Sequence, residues 1–105
     1  MHFTSFLQDG KLTVLLTGEI DHHCAKRYIN AIISKIETYM PSLCILDFQE
    51  VTFMDSSGIA VAINALREMK KIQGELQLMG LKGQPHKVFR AAGIDKIVKI
   101  KEEVM

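Results

Sequence analysis

Apolar positions along this chain recur with two different spacings. Phe3 to Gln8 and Leu12 to Thr17 are short, largely apolar runs with Asp9-Gly10 between them. Glycine accepts a positive φ at little cost, so Asp-Gly between two such runs predicts a tight turn and an antiparallel hairpin. From Asp21 onward the period changes. Ala25, Ile29, Ile32, Ile33, Ile36 and Met40 follow one another at three and four positions, which is one face of a helix. The Asp21 carboxylate is placed to cap the free amides of the first turn, and Pro41 ends the helix. Leu43 to Leu46 is then an unbroken apolar run. Such a run predicts a strand covered on both faces, as in parallel sheets.

The helical period returns near Ser57. Ile59, Ala62, Ile63, Leu66 and Met69 form its stripe, and Gly74 is the expected stop. Glu75 to Met79 reads as a strand. Pro85 suits the first turn of a third helix that carries Val88, Phe89 and Ala92 and closes at Gly93. Ile97 to Ile100 reads as a last short strand, and Lys101 to Met105 are too few to predict another helix. After the opening hairpin, strand and helix alternate. That order predicts one α/β domain over residues 1–105, with a mostly parallel sheet of four to five strands, an N-terminal antiparallel hairpin and covering helices. In such folds the loops at the strand ends carry function. Here they are Gly18 to His23 and Val51 to Gly58.

Composition narrows the function. The 105 residues are 48% hydrophobic, enough for a packed core. Thirteen basic and 12 acidic side chains leave a formal net charge of +1, without the basic excess of a nucleic-acid binder. No apolar run approaches the ~20 residues that span a bilayer, and Met1-His2-Phe3-Thr4 does not read as a signal peptide. Two cysteines, Cys24 and Cys44, make no disulfide framework, so a reduced, cytoplasmic setting is expected.

The most informative stretch is Phe53-Met54-Asp55-Ser56-Ser57-Gly58, two hydroxyls and a carboxylate where a helix begins. Asp, Ser and Gly are ordinary residues there, and one hydroxyl capping Ile59 or its neighbour would account for them. The same place also suits phosphorylation. A helix N-terminus presents free amides and a partial positive charge. A phosphate there brings about −1.5 to −2 charges and three acceptor oxygens, rewriting the surface while sparing the core.

With Gly18-Glu19-Ile20-Asp21-His22-His23 ahead of it, this stretch resembles the anti-sigma factor antagonists of the wider STAS domain family. The resemblance spans nearly the whole chain, and the first motif is most similar to the sporulation-type antagonists of the anti-sigma-F factor. It implies a partner-switching cycle and no enzymatic activity. The unmodified protein would bind an anti-sigma factor that is also a serine kinase, releasing the sigma factor. Phosphorylation would dismiss it, and a PP2C-type phosphatase would restore it. In the family the accepting residue directly follows the Asp, which selects Ser56 and leaves Ser57 for capping. The expected partner-binding surface is Asp21, His22, His23, Asp55, Ser56, Ser57 and Gly58, with Val61, turned off the core stripe, in its apolar centre. Ala60 departs from the family pattern, which often has a second glycine there. The short C-terminal end implies a reduced or absent last helix. A STAS module of a stress-response or sensory pathway would share fold and switch, and only the His22-His23 pair tilts the reading to the sporulation type.

Other chemistries fit less well. Ser56 or Ser57 with His22, His23 or His86 assembles no ordered triad and lacks Gly-x-Ser-x-Gly. His22, His23 and Cys24 are adjacent, so on a helix they diverge by about 100° each and do not converge on one ion. Asp21 to Cys24 spells the palmitoyltransferase signature without the membrane spans and zinc region of those enzymes. Gly80-Leu81-Lys82-Gly83 lacks Walker spacing and reads as a turn. Neither a cofactor nor a metal is expected.

Overall fold

Asp9 and Gly10 both sit at positive φ, 53° and 77°, the backbone that a two-residue hairpin turn requires. They join β1 (His2–Gln8) to β2 (Lys11–Ile20), antiparallel from His2 opposite Thr17 to Gln8 opposite Lys11. The structure, a computed structural model, describes residues 2–101. After the hairpin come α1 (Ala25–Tyr39), β3 (Leu43–Met54), α2 (Ser57–Lys71), β4 (Glu75–Met79), α3 (Gly83–Ala91), a 3₁₀ turn at Ile94–Lys96, and β5 (Lys99–Lys101). The five strands lie in the order β1-β2-β3-β4-β5, and every pair after the hairpin is parallel. This is the mixed sheet with an N-terminal hairpin that the alternation predicts.

The strand order decides where the core lies. Each crossover moves one place in the same direction, so right-handed connections set all three helices on one face. Alternate strand residues turn to that face: Leu12, Val14 and Leu16 from β2, Cys44, Leu46 and Phe48 from β3, Leu76 and Leu78 from β4. They meet Tyr28, Ile32 and Ile36 of α1, Val61, Ala62, Ala65 and Met69 of α2, and Phe89 of α3. Phe48 and Phe89 pack edge-on with ring centroids 5.2 Å apart, a favoured aromatic geometry. The expectation that the Leu43–Leu46 run of β3 is covered on both faces agrees with its burial, although the helices lie on one face only. The run reads as continuous because Ile45, on the other face, is also buried.

Several boundaries differ from expectation. β3 continues to Met54, so residues 51–54 of the expected loop are strand. The β2–β3 register shifts between Leu15 and Thr17 and again between Gly18 and Glu19, which interrupts the alternation that marks a strand. Helix α1 ends with Met40 in the left-handed region and its N–H on the Ile36 carbonyl at 2.8 Å. Pro41 follows and is buried. At the end of α2 the left-handed residue is Gln73 rather than Gly74, and the Gly74 N–H reaches the Met69 carbonyl at 2.8 Å. The last strand is Lys99–Lys101 rather than Ile97 to Ile100, because Ile94–Lys96 forms a 3₁₀ turn first. The expectation of no further helix falls on residues 102–105, which lie outside the described residues.

Candidate functional site

β2 and β3 end side by side, with Ile20 opposite Met54, and the Asp55 N–H donates to the Ile20 carbonyl at 3.1 Å. The two loops singled out in the sequence therefore leave the sheet at the same place. This is the carboxyl edge of parallel strands, where α/β folds place their sites.

In the first loop Asp21 makes capping bonds, but it stands three positions ahead of the N-cap residue, Cys24. Its Oδ1 accepts the N–H of His23 at 2.9 Å and of Cys24 at 3.2 Å. The turn over residues 21–24 delays α1 to Ala25, which corrects the expected helix start. Desolvation raises the Asp21 pKa, yet the Cys24 thiol, the two amides and the nearby His23 outweigh it and hold the carboxyl below its ordinary 3.8. Cys24 Sγ also donates to the Glu19 carbonyl at 3.3 Å, bracing the turn from behind. His22 and His23 are exposed, with ring centroids 4.0 Å apart at 38°. Among the described residues, no three of His, Cys, Asp and Glu are grouped to hold a metal.

The second loop divides its labour in a way the sequence does not specify. Asp55 Oδ1 accepts the Ser57 N–H at 2.7 Å, and the Asp55 carbonyl accepts the Gly58 N–H at 3.0 Å. Asp55 is therefore the cap, and the expected capping role of Ser57 is corrected: Ser57 is the first helical residue and is half-buried. Ser56 occupies the cap position, is exposed, and makes no side-chain cap bond. Among the described residues, neither serine hydroxyl bonds to a histidine.

Val61 is fully buried in the core, so it does not lie at the surface as expected. Helix α2 packs against both α1 and the sheet, and small residues line its buried side: Gly58, Ala62 and Ala65, with Val61 and Met69. Their size lets the helix approach closely, while the larger Ile59, Ile63 and Leu66 flank the contact half-buried. The exposed apolar side chain at this edge is instead Phe53, with 42% of its surface open.

One residue of the site was missed. Gln84, at the start of α3, accepts the Met54 N–H at 2.9 Å and donates to the Met54 carbonyl at 2.7 Å. No periodicity signals a bond of this kind across thirty positions. The only cue is Gly83-Gln84-Pro85, a polar side chain fixed between a glycine and a proline at a helix start.

Comparison with known proteins follows this geometry. The family model of the STAS domain matches residues 7–105. The anti-sigma-B factor antagonist of Listeria monocytogenes is 31% identical over 93 residues, 86% of this chain and 78% of the relative. The anti-sigma F factor antagonist of Lysinibacillus sphaericus is 28% identical over 95 residues, 90% of this chain and 81% of the relative. The anti-sigma factor antagonist SpoIIAA, solved in its unphosphorylated form, shares the fold at a TM-score of 0.85 and 24% identity, over 98% of this chain and 89% of that one. The phosphorylated form of the Bacillus SpoIIAA gives 0.76 at 24% identity, over 98% and 92%.

Proposed function

Because this chain belongs to the STAS domain family, we propose that it works as an anti-sigma factor antagonist switched by phosphorylation of Ser56. Its unmodified form binds an anti-sigma factor with serine kinase activity and so frees the sigma factor. The kinase phosphorylates Ser56 and releases the antagonist, and a PP2C-type phosphatase reverses the mark. Such partners imply a cytoplasmic setting. In this reading Ser56 is a kinase substrate and the chain itself catalyses nothing.

One observation carries the proposal. The Ser56 hydroxyl is exposed at the cap position while the Asp55 carboxylate does the capping. A phosphate on Ser56 would displace no bond of the helix start, and the helix N-terminus favours an anion beside it. Its effect falls on the partner. Desolvating about two negative charges against a surface built for a hydroxyl costs several kcal/mol, and about 3 kcal/mol is roughly a hundredfold in affinity. The partner would meet Asp21, His22 and His23 from one loop and Asp55 to Gly58 from the other. Phe53 takes the central apolar role first given to Val61.

The B-type and F-type relatives match at 31% and 28% identity. The His22-His23 pair favours the sporulation-type partner, and the B-type relative favours an anti-sigma-B factor. Titration calorimetry with each anti-sigma factor chooses between them. Ser56→Ala should keep the affinity and become insensitive to ATP, and tandem mass spectrometry should find the phosphate on Ser56. Equal affinity for the unmodified and phosphorylated chain would refute the switch.

A further inference from the structure

β3 outruns its neighbour. β4 pairs with it only from Leu43 to Asp47, while β3 continues to Met54. Beyond Asp47 its β2 side stays paired, but among the described residues no strand follows on the other side. The peptide groups of Met54 that face away from β2 are nevertheless both satisfied, by the Gln84 side chain at 2.9 and 2.7 Å. A primary amide carries the same donor and acceptor pair as a backbone peptide. Gln84 thus stands in for one residue of the missing strand.

The arrangement is held from several directions. Gly83, at φ 59°, turns the chain into α3, and the buried Pro85 fixes the other side of Gln84. The Met54 side chain is fully buried and packs beneath Gly58 in the first turn of α2. The next amide, Asp55 N–H, is on the Ile20 carbonyl. Met54 is therefore gripped on its backbone by α3 and packed against α2 through its side chain. Ser56 lies two residues further on.

We infer that Gln84 is a positioning residue for Ser56. By closing the free edge of β3 at its last residue, it sets the direction in which the chain leaves the sheet. That direction fixes where Asp55 meets Ser57 and where the Ser56 hydroxyl is presented. The link to phosphorylation rests on the proposed function, but the restraint on residues 54–58 does not.

Gln84→Met removes both hydrogen bonds at nearly constant volume, and Gln84→Glu keeps an acceptor for the Met54 N–H alone. Each is compared with the wild-type chain by amide exchange, by melting, and by steady-state phosphorylation with the kinase and ATP. In Gln84→Met, exchange at Met54 and Ser57 should quicken about tenfold, the size of one or two net hydrogen bonds. KM for the protein substrate should rise about tenfold with kcat unchanged, because only the population poised for docking falls. Gln84→Glu should lie between, and the core amides of β2 should not change in any variant. Wild-type exchange rates at Met54 and Ser57 in Gln84→Met would overturn the inference. Quickened exchange with unaltered KM would also overturn it, leaving a structural contact only. If the wild-type chain is not phosphorylated at all, the partner-switching reading fails alone, and exchange at Met54 and Ser57 decides the role of Gln84.

Discussion

Replacing Gly58 by alanine adds one methyl group where the structure has no room for it. A Cβ at Gly58 overlaps Cγ and Sδ of Met54 and lies 3.0 Å from its Cε. The Cγ atom is near the root of the side chain, so swinging the far end away does not relieve the overlap. The Met54 backbone cannot retreat either, since β2 holds it on one side and Gln84 on the other. Overpacking of this kind costs about 1–3 kcal/mol. Alanine in place of glycine within a helix returns up to about 1 kcal/mol, less here because Gly58 is in the first turn. The net expectation is a loss of about 1–2 kcal/mol, roughly 5–10 °C in Tm for a domain of this size. Urea titration at constant m gives the number. Met54→Ala separates this mechanism from others. Alone it opens a cavity and costs about 2–5 kcal/mol. Combined with Gly58→Ala, the new methyl occupies vacated space, so the double variant should be more stable than the sum by at least about 1 kcal/mol. A Gly58→Ala protein as stable as wild type, or strict additivity with Met54→Ala, would refute the reasoning.

Ser56→Ala should leave stability within about 0.5 kcal/mol, because Ser56 makes no cap bond. Asp55→Ala should cost about 1 kcal/mol, since its carboxylate holds the Ser57 amide; the reverse order in urea titration would contradict the assignment of the cap. Asp21 has its pKa lowered in the folded state. Its stabilising contribution is therefore complete above the unfolded carboxyl value and is lost as pH falls through the folded one. Carbon NMR titration should place this carboxyl below 3.8, and a higher value would contradict the loop geometry. Burial pushes the Cys44 thiol from 9.0 to about 12, so its contribution is complete below pH 9 and falls by roughly 1 kcal/mol per pH unit as pH rises toward the folded value. Native alkylation followed by mass spectrometry should find Cys44 unmodified until denaturant is added; rapid labelling would contradict its burial.

The sequence makes the order of elements legible because each carries a strong local signal. Asp9-Gly10, the isoleucines of α1 and the Leu43 to Leu46 run each point to one kind of structure. Legibility stops where a long-range contact decides. Beyond Asp47, among the described residues, β3 has a strand partner only on its β2 side; Gln49, Glu50, Thr52 and Phe53 are exposed, so the segment reads as loop. A stripe through Ile59, Ala62, Ile63, Leu66 and Met69 leaves Val61 outside the core, whereas α2 is rotated so that Gly58, Val61, Ala62, Ala65 and Met69 are buried. The two loops of the candidate site, Asp21 to His23 and Asp55 to Gly58, are legible because their capping chemistry is local. The sharing of roles between Asp55 and Ser57 depends on backbone angles, and the Gln84 bonds depend on where α3 lands.

The strand order β1-β2-β3-β4-β5 also bears on how the chain reaches this structure. Among the described residues every strand pairs only with its immediate predecessor and successor in sequence, so each pairing closes one hairpin or one strand–helix–strand loop. Loop-closure entropy is met in short instalments, which favours rapid folding over that of sheets whose first and last strands must meet. The same order suits emergence from the ribosome, where N-terminal segments become available first. The hairpin can form while α1 is still being made, and β3 then finds its template in β2 without waiting for any later strand.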